Sequence, residues 1–522
     1  MIKMLKKILG MKKKKSKSKE KQQNLKGKNC PVSFGDSLQV NVKVLKEIFA
    51  NSSDVVFREF YFGGNEKLEG VLVYIENMID KQTLQEDILK PLMFKFNLDE
   101  YLPKNIPQEA IRIIRKNSIT VGQIREEKEI EQVVNAILSG HVIVVMNFID
   151  SVIVTNNQGW AKRSIAEPES ERIVRGPREG FVEDLGTNIS LIRKKIKDVN
   201  LTVEMMELGK RSKTQIALVY LQDLTCSTIL DDVKKRLKKI DVDGINAAGE
   251  IEQLIEDHPW SFFPQMQTTE RPDKTIANIV EGRMVILIAG TPFVLIIPAV
   301  FPQFLQTTDD YADRLLISSF LRLLRYVALL ISSTLPALYI ALVSFHSELI
   351  PFGLLTSIAE ARAAVPFPPF LEAIFMEATL ELLREAGLRL PGSIGQTVGI
   401  VGGIVIGQSI VVANLVSPIM VVVVALTAVS SFTIPNYSLG GGLRILRFFL
   451  MICAAFLGAV GLALGVAFVL TQMVAMTSFG VPYLSPLAPT RYKDLKDTFI
   501  RAPIKMINMK PVSIPRSEFS KK

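Results

Sequence analysis

Charge is absent from two long stretches of this 522-residue chain, residues 390–442 and 448–490, and from the shorter stretches 284–308 and 326–345. An α-helix rises about 1.5 Å per residue, so roughly 20 apolar residues cross a bilayer core about 30 Å thick. The first long stretch has room for two crossings and the second for at least one. A buried core helix of a large soluble enzyme is the rival explanation, but such helices rarely run about 40 residues without a charge. Residues 281–490 therefore read as a membrane domain, and the residues before them do not.

The fold class expected is a multidomain membrane protein: an N-terminal soluble α/β domain of two subdomains, then an α-helical transmembrane domain. Residues 30–280 carry short β-branched runs with strand character, Val71–Ile75, Val142–Met146, Val152–Thr155 and Ile216–Tyr220. The middle two suggest a hairpin. Within Thr228–Ile240, Leu230, Val233, Leu237 and Ile240 share one helix face. A charged stretch near Glu126–Glu131 suggests a split between subdomains near residues 126–140.

About four spans are expected, at 326–345, 394–413, 418–434 and 448–476. Pro418 suits a helix start, and Asn414–Ser417 the turn before it. Residues 284–306 are apolar but carry Pro292, Pro298 and Pro302, which reads as an interfacial or re-entrant element. Residues 369–386 form a second interfacial element, an amphipathic helix. The positive-inside rule puts the basic tail 1–29 and the basic tail 491–522 in the cytoplasm, which requires an even number of crossings. Arg384, Arg389, Arg444 and Arg447 then conflict with an outside location.

Net charge is +10, and twelve lysines stand between Lys3 and Lys28. Near an anionic lipid surface each is worth about 1 kcal/mol; a solvated tail is the plainer reading. Nucleic acid is not expected, because the tail lacks interleaved aromatics and arginines. No signal peptide is recognisable. Three scattered cysteines (Cys30, Cys226, Cys453) and three histidines give no metal cluster and no disulfide framework. No Walker loop, GxSxG or HExxH occurs, so neither an enzyme nor a cofactor is expected. Gly176-Pro-Arg-Glu-Gly180 lacks the Gly-Lys-Ser/Thr end of a phosphate loop and sits among mixed charges that fit a structural network.

Two patterns remain as candidate sites. Glu372, Glu377, Glu381 and Glu385 lie along one helix. They read either as an acidic vestibule that concentrates cations or as charges turned to water at the interface. Gly395, Gly399, Gly403 and Gly407 recur every fourth residue, with Gln408 and Asn414 as polar groups nearby. In lipid, glycine permits the close backbone contact on which helix association depends. That face fits packing within one subunit or between subunits around a pore. Gly458, Gly461 and Gly465 repeat the theme.

Several ordered motifs carry a family resemblance: Arg163-Ser-Ile-Ala-Glu-Pro168, Arg175-Gly-Pro-Arg-Glu-Gly-Phe181, Asn188-Ile-Ser-Leu-Ile-Arg193, Thr269-Glu-Arg-Pro-Asp273, Val365-Pro-Phe-Pro368, Arg384-Glu-Ala-Gly387 and Ser478-Phe-Gly-Val-Pro-Tyr483. Over about residues 35–490 the chain resembles the GerA family, the A subunits of spore germinant receptors. The resemblance implies location in the spore inner membrane, where the uncharged runs make the chain multi-pass and the positive-inside rule makes its N-terminal domain cytoplasmic. It implies a transporter-like B subunit and a lipoprotein C subunit as partners, and a homo-oligomer that acts as a nutrient-gated cation channel at the start of germination. A paralogue of the stage V sporulation protein AF type, acting in solute release, is the alternative. An ion-coupled transporter is a further one, disfavoured because no internal repeat is apparent and the expected spans carry no charge.

Overall fold

The structure, a computed structural model, describes residues 33–62, 69–95, 124–147, 149–159, 167–168, 170–389, 403, 405, 407–503 and 514–515. The basic tail 1–29 and the residues Gly395 and Gly399 lie outside the described residues. The chain divides into two units near residue 160.

The first unit is built on helix α1 (Leu38–Ile48), strands β1 (Val55–Tyr61), β2 (Glu69–Ile75) and β3 (Ile124–Glu127), helix α2 (Ile130–Leu138), and strands β4 (Val142–Met146) and β5 (Val152–Thr155). The sheet runs β1-β2-β4-β5-β3 with every neighbour antiparallel. Leu72 stands opposite Val144, and Ile143 opposite Val154, so the central strands are apolar. Leu72, Val142, Val144 and Ile153 pack against Leu84, Ile88 and Leu92 of the helical turns that follow β2. The predicted hairpin of residues 142–155 is present. The split expected near residues 126–140 is not there: Arg125, Glu126 and Glu127 belong to β3, an edge strand. Edge strands carry charge because it discourages pairing with another chain.

The second unit begins with helix α3 (Leu185–Lys195), strands β6 (Leu201–Leu208) and β7 (Thr214–Leu221), helices α4 (Ser227–Lys239) and α5 (Ala248–Ile255), strand β8 (Gln267–Thr269), helix α6 (Pro272–Val280), and strands β9 (Met284–Ile288) and β10 (Val294–Ile297). Its sheet runs β6-β7-β9-β10-β8, again antiparallel throughout. The order matches that of the first sheet strand for strand, with a helix before the first strand and another between the third and fourth. The two subdomains therefore repeat one topology.

Strands β9 and β10 correct the expected interfacial element at 284–306. They are central strands, with Leu218 opposite Ile286 and Leu295 opposite Ile286 on the other side. Ile286, Ile288, Leu295 and Ile297 face Val233, Leu237 and Ile251 of α4 and α5. Val285, Leu287, Val294 and Ile296 face Leu185, Ile189 and Ile279 of α3 and α6. A strand covered by helices on both faces has no place for charge, so composition alone does not separate it from a membrane segment. The α/β fold thus extends past residue 280 to the end of β10 at Ile297, and the turn Phe301–Leu305 already packs into the helical core.

The helical part follows: α7 (Leu315–Phe345), α8 (Phe352–Arg362), α9 (Pro369–Arg389), the helical residues 407–412, α10 (Pro418–Phe432) and α11 (Tyr437–Ala475). Pro418 opens α10, with the Ser417 hydroxyl accepting from the Met420 N–H at 3.4 Å. The expected span 326–345 starts earlier, at Leu315. The helix of residues 369–386 turns Glu372, Ala373 and Glu377 inward and leaves Leu371, Phe375 and Leu382 exposed, the reverse of charges turned to water.

The expected last span, 448–476, is one arm and part of another. Gly458 has φ 61° and ψ −137°, which breaks the helix. Across a straight helix Phe449 and Phe468 would stand about 28 Å apart; their ring centroids are 5.9 Å apart. A Cβ on Gly461 would run into the Cys453 carbonyl, and one on Gly465 would lie 2.9 Å from Leu450. The helix folds back on itself, so α11 is a hairpin of two antiparallel arms. A Cβ on Gly458 would lie 2.8 Å from Phe345 at the end of α7. The hairpin tip and the α7 C-terminus therefore share one end of the bundle.

The other end holds the second subdomain and the tail. Thr477–Ser478 and Val481–Pro482 pair in a small ribbon, and Ser478 bonds the Gln265 carbonyl at 2.7 Å. Residues 491–502 are not a loose tail. Arg322 of α7 donates to the Asp497 carboxylate (3.1 Å) and to Asp310 (3.2 Å), and Arg325 takes both Asp310 oxygens at 2.9 Å.

Candidate functional site

The four glutamates singled out on α9 do not form an open acidic surface. Each has an arginine partner within the chain. Glu372 is buried, lies 3.1 Å from Arg362 of α8, and accepts the Ser417 N–H at 2.9 Å. Its charge thus sits at the N-terminus of α10, where the helix dipole favours an anion. Glu377 is buried and paired with Arg447 of α11. Glu381 bridges Arg384 (3.0 Å) and Arg444 (2.9 Å). Glu385, at the exposed end, pairs with Arg389 at 2.7 Å.

These partners include Arg384, Arg389, Arg444 and Arg447, the arginines that conflict with the positive-inside count. They are counter-charges for α9, buried at Arg447 and exposed at Arg389. The expected spans themselves are uncharged, but α7 starts at Leu315 and α11 at Tyr437, so these helices also carry Arg322, Arg325, Arg444 and Arg447. A buried charge is tolerated only when paired and hydrogen-bonded, and the pairing is built in across α8, α9 and α11.

Arg447 has a second partner whose availability follows from a proline. In a regular helix the Ser332 carbonyl would accept from the N–H of residue 336. Pro336 lies inside α7 and has no N–H. The freed Ser332 oxygen instead accepts from Arg447 Nε at 2.9 Å. Pro336, Ser332, Arg447 and Glu377 thus tie α7, α9 and α11 together in the interior of the bundle. The sequence signal was present but unread: a proline inside an uncharged run, and an arginine at the edge of another.

These ion pairs also order the helices. Glu377 lies beside Arg447 and Glu381 beside Arg444, so α9 and the first arm of α11 run antiparallel. Ser417 meets Glu372, and Ser431 meets Arg384 at 3.1 Å, so α10 runs in the same direction as α9.

The glycine face behaves differently. Gly403 and Gly407 have open space where a Cβ would project, with nothing within 4 Å. Gly458, Gly461 and Gly465 are filled by neighbours of the same chain. Gln408 is exposed, and Asn414 is exposed at the helix end with φ 52°. Gly403, Gly407, Gln408 and Asn414 are therefore not brought together with the glutamates; they belong to an outer face of the bundle. Among the described residues no group of three metal-binding side chains occurs.

Comparison with known proteins fixes the family. The model for the Bacillus/Clostridium GerA spore germination protein matches residues 43–513. Spore germination protein KA of Bacillus subtilis (strain 168) is 41% identical over 491 residues, which is 94% of this chain and 89% of its own length. The uncharacterized membrane protein YfkQ of Bacillus subtilis (strain 168) is 38% identical, over 93% of each chain. Among solved structures, the N-terminal domain of the A subunit of the Bacillus megaterium spore germinant receptor GerK3 is 33% identical, covering 52% of this chain and 99% of its own, with a TM-score of 0.42. With one family model matched from near the start of α1 to beyond the docked tail, the chain belongs to the GerA family of spore germination proteins.

Proposed function

We propose that this chain is the A subunit of a spore nutrient germinant receptor and that it has no enzymatic activity. It is anchored in the spore inner membrane by residues after about 315, and it assembles with copies of itself to form a nutrient-gated cation channel. A transporter-like B subunit and a lipoprotein C subunit are its partners, as the family resemblance implies. Membrane insertion is supported by two helices, α7 and α11, long and apolar enough to cross. It is supported also by the large side chains left exposed along them, among them Leu330, Phe456, Leu464 and Phe468, and by the name of the relative YfkQ. With α11 folded as a hairpin, its first arm leaves the end of the bundle that holds the second subdomain and its second arm returns there, where Ser478 bonds the Gln265 carbonyl.

The observation that carries the assembly is the open space beside Gly403 and Gly407. In lipid such a groove gains its packing from a second helix, and among the described residues nothing lies within 4 Å of it. Gln408, next to that face, offers an amide oxygen to a partly dehydrated cation.

Gly403→Leu, Gln408→Ala and the control Val405→Leu test this in spores, with subunit abundance and nutrient-triggered cation release measured together. The reading predicts normal abundance with lost or spontaneous release for Gly403→Leu, and little change for Val405→Leu. Normal abundance with normal release in both Gly403→Leu and Gln408→Ala contradicts it.

A further inference from the structure

The loop between α5 and β8 holds one side chain in a position that the folded chain itself does not use. Trp260 is 96% exposed, yet the loop that carries it is fixed on every side. Gln265 accepts from the Asp257 and His258 N–H groups at 2.9 Å each and donates to the His258 carbonyl at 2.8 Å. The Ser261 N–H closes a turn onto the His258 carbonyl at 3.0 Å. Phe263, three residues on, is buried in the helical core against Phe301 and Tyr483.

The loop is wedged at the foot of the bundle. The Phe262 carbonyl lies where only a glycine, Gly442, lets α11 pass. Ser261 Oγ is 3.2 Å from Met476 Sδ, at the C-terminus of the second arm. Trp260 is thereby displayed at the level where α11 both begins and ends. The same end carries Tyr437 (68% exposed) and Leu316 (81%) at the helix starts, and Tyr492 (81%) on the docked tail, with Lys493 and Lys496 exposed nearby. Further exposed apolar side chains follow along the helices, Ile317 and Phe320 on α7 and Ile445 and Ile452 on α11. Tryptophan and tyrosine have an apolar body and a polar tip, which suits the headgroup boundary of a bilayer, and lysines there meet lipid phosphate.

We propose that the Trp260 loop is a bilayer anchor of the second subdomain: the indole sits in the headgroup–acyl boundary and holds that subdomain on the membrane surface at the foot of α11. This rests on the reading that α7 and α11 cross the membrane. It adds a contact between the soluble fold and lipid which that reading does not require.

The chain has only two tryptophans, Trp160 and Trp260, which makes the test direct. Full-length wild type and Trp260→Phe are reconstituted in nanodiscs of phosphatidylcholine and phosphatidylglycerol, and the difference in their emission isolates Trp260. The expected result is blue-shifted Trp260 emission, lost strongly when the lipid acyl chains carry bromine near the glycerol end, less so with bromine near the chain ends, and weakly with acrylamide in the water. Emission quenched freely by acrylamide and untouched by bromolipid overturns the proposal, because the indole then stands in water. Emission untouched by either quencher also overturns it, because the indole is then covered by protein, such as a second copy. Resistance of the same samples to alkaline carbonate extraction reports membrane insertion separately. A chain that resists extraction with an unquenched Trp260 refutes the anchor and leaves the membrane reading standing.

Discussion

Arg447 donates to two acceptors, Glu377 on α9 and the Ser332 carbonyl on α7, and the second exists because Pro336 cannot use it. Removing one member of a buried ion pair leaves the other charged and unpaired, at a cost of about 3–5 kcal/mol. Arg447→Ala and Glu377→Leu should each lower the thermal unfolding midpoint of the detergent-solubilised chain strongly. The double variant should lose much less than the sum of the two, since neither charge is then left alone. Additive losses would show that the pair does not couple the helices. A second residue sets a pH dependence in the second subdomain. Burial, and next the nearby Glu256 carboxylate, push the Glu252 carboxyl from its ordinary 4.5 up to about 7. Between these values the folded chain holds more protons than the unfolded chain, so stability falls as pH rises through that window. At about 1.4 kcal/mol per tenfold change in proton affinity, the ionised carboxylate costs the fold on the order of 1–3 kcal/mol above the window. Glu252→Gln should raise the unfolding midpoint at pH 8 and leave it nearly unchanged at pH 4; an equal effect at both would contradict the assignment.

At the scale of elements, the hairpin of α11 turns on a single residue. Gly458 has a positive φ, costly for any L side chain, and its missing Cβ is where Phe345 packs. Gly458→Val should therefore destabilise the helical part by at least about 2 kcal/mol and separate the arms. A pair of spin labels at Phe449 and Phe468 would read that separation as a longer distance. An unchanged short distance would mean that the turn does not need glycine. This turn was not legible in the sequence. Within Leu457–Val460 only Gly458 is buried, against Phe345 and His346, and the segment carries no polar residue that marks a turn. The strands of residues 284–297 were missed for a related reason, since helices on both faces remove every charge that would have marked them as soluble. By contrast, Val142–Met146, Val152–Thr155 and the helix near Thr228–Ile240 lie where expected, because charged or turn-forming residues flank each short run and a one-sided apolar stripe marks the helix. The glutamates lie on α9 as expected, and Arg384 and Arg389 pair with them at helical spacing, but Arg362, Arg444 and Arg447 come from α8 and α11, up to 70 residues away, and spacing along one helix does not show them.

The whole molecule is a repeated α/β topology followed by a helical bundle, and the repeat places its own limits on how the chain divides. Cutting at residue 280 removes β9 and β10, leaving β7 with an open central edge and β8 without its neighbour. A fragment of residues 30–280 should aggregate, whereas one of residues 30–306 should stay soluble and unfold cooperatively; solubility of the shorter fragment would contradict the sheet order. The same scale decides the central claim, that the Gly403–Gly407 face meets another copy of the chain. Its most direct test is disulfide crosslinking in native membranes. In a chain whose Cys30, Cys226 and Cys453 are replaced by serine, Gly403→Cys or Gly407→Cys is oxidised and the products are separated without reductant, with Ala454→Cys as the control. The account predicts covalent multimers from positions 403 or 407 and none from 454, which is buried within its own chain. Normally abundant Gly403→Cys and Gly407→Cys chains that stay monomeric on oxidation would contradict it.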